Sequence, residues 1–141
     1  MNDQSPVASN AEKATCVCER QPALRVVPMP ADLNPAGDVF GGWIMSMADI
    51  AGSIIARRRA RARVTTVAVN SFVFKQPVSV GDVVSFYAEI AAVGKTSITV
   101  DVVVYVERHP DNTAALKVTE ARLTYVAIDQ HGNKQTIPPE A

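Results

Sequence analysis

The stretch Gly41–Arg61, GGWIMSMADIAGSIIARRRAR, carries apolar side chains on almost every face instead of along one stripe. That pattern predicts a helix buried all round. The apolar run is about 17 residues, roughly 25 Å at 1.5 Å per residue, and it ends in Arg57, Arg58, Arg59 and Arg61, where cations complement the negative end of a helix. Everything after it reads as strand. Val64–Phe74, Asp82–Val93, Thr96–Glu107 and Ala115–Ile128 are long and rich in β-branched residues. In the third, Ile98, Val100, Val102, Val104 and Val106 alternate with Thr99, Asp101, Val103, Tyr105 and Glu107, the period of a sheet with one buried face. The breaks at Gln76–Gly81, Val93–Lys95 and Arg108–Asn112 are short and turn-like, so consecutive strands are expected to lie antiparallel as neighbours. One central helix wrapped by an antiparallel sheet is an α+β architecture and excludes a doubly wound nucleotide fold.

Upstream of the helix, Ala23–Met29 is a short apolar run with Pro28 near its end, suited to an edge strand. Pro30–Asp38 is dense in Pro, Asn, Asp and Gly and reads as a loop. Residues 1–21 are polar and aperiodic, a composition that predicts a disordered tail ahead of one domain over 22–141.

Composition removes several function classes. With 14 basic and 14 acidic residues in 141, there is no global field to gather a polyanion or an anionic membrane. No stretch reaches the roughly 18 apolar residues of a membrane span, and the N-terminal residues lack the apolar block of a signal peptide, so the expected location is the cytoplasm. Cys16 and Cys18 are too close to staple a fold, and His109 and His131 sit beside turn residues without neighbouring ligands, so no metal site or other cofactor is expected. The Arg57–Arg63 cluster lacks interleaved aromatics and reads as a solvated helix end, not a nucleic-acid patch.

Neither a Gly-x-Ser-x-Gly elbow nor a phosphate-binding Gly-x-x-x-x-Gly-Lys loop occurs, which leaves carboxylate chemistry. Gly41 and Gly42 at a helix start leave backbone N–H groups uncovered, with the positive end of the helix dipole behind them. They offer an oxyanion site, or merely a tight turn against the sheet. Asp49 is a carboxylate in an apolar helix with no basic residue within a turn. Such groups are almost never buried unless paired or functional, and desolvation would strengthen one as a base. A backbone-capping role is the alternative. Asp38 is expected near the helix N-cap. Gly42 and Asp49 lie about 10 Å apart along one helix, too far to reach one carbonyl. A homodimer with antiparallel helices would bring them together twice across its axis.

Pro30–Asn34, Gly37–Asp49 and Phe74–Asp82 (FKQPVSVGD) resemble the single-hotdog bacterial acyl-CoA thioesterases of the YciA type, over about Leu24–Pro138. The resemblance implies a hotdog fold of five to six antiparallel strands around a long helix, with hotdogs paired edge to edge and dimers assembled as trimers of dimers. It implies that Asp49 is the catalytic carboxylate, that Gly41 and Gly42 polarise the thioester carbonyl, and that Asn34 and Thr66 line the same site. It places Gly94, Lys95, Thr96 and Ser97 at the nucleotide end of CoA. Lys75 is a second candidate cation for the CoA phosphates, and Phe40 a further candidate substrate contact. The family's usual second asparagine is replaced by Ala36.

The implied activity is hydrolysis of fatty acyl-CoA to free acid and CoA. A non-enzymatic acyl-CoA sensor and a hotdog hydratase or dehydratase are the rivals, but the tail is too short for a DNA-binding module and neither histidine is placed for proton transfer. Trp43, Met45, Met47, Phe72 and Phe74 are candidates for the walls of an acyl tunnel, or for plain core.

Overall fold

The alternation centred on Val102 forms a strand, Ser97–Glu107 (β4), in which Ile98, Val100, Val102, Val104 and Val106 are buried. Each such side chain contributes roughly 1.5–3 kcal/mol by leaving water. The computed structural model describes residues 20–111 and 114–140, so Cys16, Cys18, Asn112 and nearly all of the tail lie outside the described residues. The other strands are Leu24–Val26 (β1), Arg63–Phe74 (β2), Val83–Val93 (β3) and Leu116–Ile128 (β5), and the helix is Gly41–Ala60 (α1). The four long strands begin within one residue of expectation and end on it. β1 stops before Pro28, and the chain then makes a single 3-10 turn at Pro30–Asp32. Arg20, expected in the tail, instead stacks over the Tyr87 ring at 4.9 Å.

All pairings are antiparallel, in the order β1-β3-β4-β5-β2. The break at Gln76–Gly81 therefore does not join neighbours, contrary to what its length suggests, because β2 pairs with β5 at the far edge from β1. The distance explains it. Three strand spacings amount to about 14 Å, whereas Lys75–Asp82 extended can span about 26 Å. The crossing is held from beneath, with Val78 buried and its carbonyl accepting the Val39 N–H at 2.9 Å. Buried Asp82 accepts the Ser79 N–H at 2.9 Å and a forked pair of bonds from Arg108 at 3.0 and 2.9 Å.

The sheet curls over α1, which packs against β2, β3, β4 and β5 through Ile44, Ala48, Ala51, Gly52, Ala56 and Ala60. Small residues let the helix lie close. The opposite stripe is not covered, so the prediction of a helix buried all round fails for the single chain: Gly42, Met45, Ser46 and Ile50 are exposed. Among the described residues no element supplies a second layer on that side. Arg61 closes α1 in the left-handed region, with its N–H on the Arg57 carbonyl at 2.9 Å. β2 is the long free edge, and Val67, Val69, Val73 and Phe74 on it are exposed. Among the described residues no helix is long and apolar enough to cross a membrane.

Candidate active site

Asp49 lies on the outward side of α1, half-buried, where β2 passes beside the helix. Its Oδ1 accepts the Thr66 hydroxyl at 2.6 Å, a length typical of a charge-assisted bond. Thr66 reaches it just before a β-bulge between Thr66 and Ala68, and bulges re-aim side chains in this way. No Lys or Arg pairs with Asp49 among the described residues. One carboxylate oxygen is thus fixed by a neutral donor. The Asp49 backbone carbonyl accepts a second bond, from the Tyr125 hydroxyl at 2.8 Å.

The helix entry is built by the preceding loop. Asn34 closes that loop on itself, its Oδ1 accepting the Ala36 and Asp38 N–H groups at 2.9 and 3.1 Å while its own N–H donates to the Asp38 carbonyl at 2.7 Å. Ala36 stands exposed in this turn, which closes without a polar side chain at that position. Asp38 does not cap the helix. The N-cap is half-exposed Phe40, which makes no side-chain cap bond and whose carbonyl accepts the Trp43 and Ile44 N–H groups. The Gly41 N–H, at the first helical position, has no intrahelical acceptor, and the Gly42 N–H lacks the side-chain acceptor that Ser or Asp at the N-cap could have provided.

The two glycines differ. A Cβ on Gly41 would lie 3.1 Å from the Phe74 ring, whereas one on Gly42 would meet nothing within 4 Å. Gly41 allows a close approach, while Gly42 faces open space. Beside Gly41 a cavity of about 310 Å³ is lined by Val39, Ile44, Phe74, Lys75 and Val78, at the small end of ligand-pocket sizes. Of the five suggested tunnel residues only Phe74 lines it. Trp43, Met47 and Phe72 pack on the core and Met45 faces outward.

The remaining candidates do not converge within one chain. Lys75 follows the end of β2 beside the helix entry and is ion-paired to Glu120 at 3.6 Å. Glu120 is held below the usual carboxylate range, chiefly by its hydrogen bond from Lys117. Gly94–Ser97 is the β3–β4 hairpin at the opposite end of the sheet, with the Gly94 N–H on the Ser97 carbonyl at 2.7 Å and Lys95 exposed. Asp49 and Thr66 form one cluster, Asn34, Phe40, Gly41, Gly42 and Lys75 a second, and the hairpin a third. His109 and His131 are exposed, and no group of three or more metal-ligating side chains occurs among the described residues. Tyr125 and Gly52 were not legible as site residues, although a glycine inside a helical pattern signals close packing.

A long helix cradled by a curled antiparallel sheet, with an outward carboxylate and a helix entry that no side chain caps, defines a protein of the hotdog class. The thioesterase superfamily pattern matches residues 36–111. The chain is 48% identical over 118 residues to an uncharacterized acyl-CoA thioester hydrolase of Buchnera aphidicola, covering 82% of this chain and 87% of that protein. It is 44% identical over 119 residues to the acyl-CoA thioester hydrolase YciA of Escherichia coli, covering 83% and 90%. Among solved structures, a hexameric broad-specificity acyl-coenzyme A thioesterase superposes with a TM-score of 0.81 at 44% identity, covering 85% of this chain and 88% of that one. The chain belongs to the thioesterase superfamily, among the acyl-CoA thioester hydrolases of the YciA type.

Proposed function

We propose that this chain hydrolyses acyl-CoA thioesters at a site shared between two copies of itself. The observation that carries the reading is Asp49, outward on the helix, unpaired with any cation among the described residues, and oriented by Thr66 through one oxygen. Gly42 lies on the same exposed stripe, seven residues and about 10 Å away. Two antiparallel helices related by a two-fold axis bring Gly42 of one subunit to Asp49 of the partner subunit, twice. The exposed apolar residues Met45 and Ile50 on that stripe, together with Val67, Val69 and Val73 on the free β2 edge, suit burial in such a dimer. A hexamer, the assembly of the superposed relative, would on this reading be built as three such dimers.

In this arrangement the N–H groups at the helix entry bind the thioester carbonyl and stabilise its oxyanion. Asp49 takes a proton from water as the water oxygen adds to the carbonyl carbon, and returns it to the departing CoA thiolate. If Asp49 itself attacks, a mixed anhydride forms as the CoA thiolate leaves, and single turnover in isotope-labelled water places label in the Asp49 carboxylate when water cleaves that anhydride at the Asp49 carboxyl carbon. The cavity beside Gly41 takes part of the bound ester. Lys95 and Lys75, at opposite ends of the sheet, meet a single CoA only if different subunits supply them.

The test is steady-state hydrolysis of acyl-CoAs from acetyl to palmitoyl. We expect turnover across a broad range of chain lengths, and a loss on the order of 100-fold or more in Asp49→Asn with CoA binding retained. Binding without turnover in the unmodified protein would favour a sensor, and water addition to an enoyl-CoA a hydratase.

A further inference from the structure

The geometry points to Tyr125 and Gly52 as the positioning device for Asp49: the Tyr125 hydroxyl pins the helix backbone at that residue while Thr66, its cross-strand partner, pins the carboxylate. This rests on the reading of Asp49 given above. Thr66 and Tyr125 are register partners in the β2–β5 pair. Their side chains therefore rise from neighbouring points of one sheet surface, and they meet Asp49 at two places, Oδ1 at 2.6 Å and the backbone oxygen at 2.8 Å. A backbone carbonyl within a helix already accepts the N–H four residues on, and its second lone pair is commonly idle. Here that lone pair is used. An anchor on a backbone atom fixes both the rotation of the helix and its height over the sheet, which a bond to a flexible side chain would not.

Tyr125 is fully buried, so its hydroxyl needs an internal partner. Burial foremost, and the nearby Asp49 carboxylate after it, push its ionisation far above the ordinary phenol range, which keeps the group a neutral donor. Gly52 makes the contact possible. A Cβ there would overlap the Tyr125 hydroxyl and lie 3.1 and 3.2 Å from the ring carbons Cζ and Cε2. Glycine inside a helix weakens it relative to alanine, and Gly52 sits in the interior of α1. The clearance it gives the phenol is the compensating gain, and it brings helix and strand together at the residue that carries the chemistry.

The inference separates activity from stability. Tyr125→Phe removes one oxygen and leaves the ring, so it should fold, lower kcat about tenfold and leave KM for acyl-CoA within about twofold. Gly52→Ala keeps the hydroxyl but forces helix and ring apart, and should lower both kcat and Tm. Adding Tyr125→Phe to Gly52→Ala should recover part of the Tm but leave kcat no higher than in Tyr125→Phe alone. Rates are compared at a temperature at which each variant is folded, with Asp49→Asn alongside. If Tyr125→Phe keeps the wild-type kcat while Tm falls and Asp49→Asn is inactive, the hydroxyl is structural only and the inference is overturned by itself. Full turnover in Asp49→Asn would overturn the reading of Asp49 and this inference with it.

Discussion

Replacing Thr66 with Val exchanges the hydroxyl for a methyl of similar size, so it deletes the 2.6 Å donor to Asp49 and leaves packing nearly unchanged. Hydrogen bonds to charged groups contribute roughly 1.5–3 kcal/mol. Thr66 is exposed in the single chain, which argues for the lower end. If the bond is needed to aim the carboxylate in the transition state, about 1.5 kcal/mol corresponds to about a tenfold loss of rate. That loss should fall on kcat, because Thr66 fixes the reacting group and not the body of the substrate. Thr66→Ser restores the donor and should recover most of the rate, while the melting temperature of both variants should stay close to wild type. Steady-state kinetics with a saturable acyl-CoA, beside thermal melts, separate the contributions. A Thr66→Val enzyme within twofold of wild type would show that Asp49 is oriented by something other than this hydroxyl.

The glycine pair should divide along the line the structure draws. Gly42→Ala meets no atom and should not lower Tm, yet it adds a methyl beside the open donor and should cut kcat/KM by on the order of tenfold. Gly41→Ala crowds Phe74 and should lower Tm. Lys95→Ala should raise KM for acyl-CoA with little change in kcat, and the defect should shrink for thioesters lacking the nucleotide. Because Tyr125 ionises far above the phenol range when folded, the stabilisation it contributes is complete below the unfolded value of about 10 and is lost as pH rises above it, at about 1.4 kcal/mol per pH unit. Alkaline denaturation followed by circular dichroism should accordingly be less steep in Tyr125→Phe.

Much of this fold is legible residue by residue. The alternation from Ile98 to Val106 marks its buried face outright, because a strand's period leaves no second assignment. The Lys75–Asp82 connection was not legible, since it is short enough for a turn and long enough for a crossover, and only the pairing of β2 with β5 decides between them. The outer face of α1 misled for a different reason. Met45 and Ile50 look like core residues, but any covering for them lies outside the single chain. The site divides in the same way. Asp49 stands out as a lone carboxylate in an apolar helix and Gly41-Gly42 as an exposed helix start, both local signals. The Tyr125 and Gly52 contact joins residues far apart in sequence, and a glycine within a helix signals close packing without saying which residue it meets.

If Gly42 of one subunit and Asp49 of the partner subunit form one catalytic site, mixing subunits damaged at one or the other should restore it. Neither Asp49→Asn nor Gly42→Pro should turn over alone, the second because proline has no N–H to donate while remaining acceptable in a first helical turn. After complete exchange of an equal mixture, half of the dimers are heterodimers, each with one intact composite site and one doubly damaged site. Activity should therefore recover to about a quarter of wild type if sites act independently. Exchange can be verified by mass-tagged subunits and folding of each variant by circular dichroism. Activity that stays at the level of the separate variants after verified exchange would contradict the shared site and require Asp49 to act within its own chain.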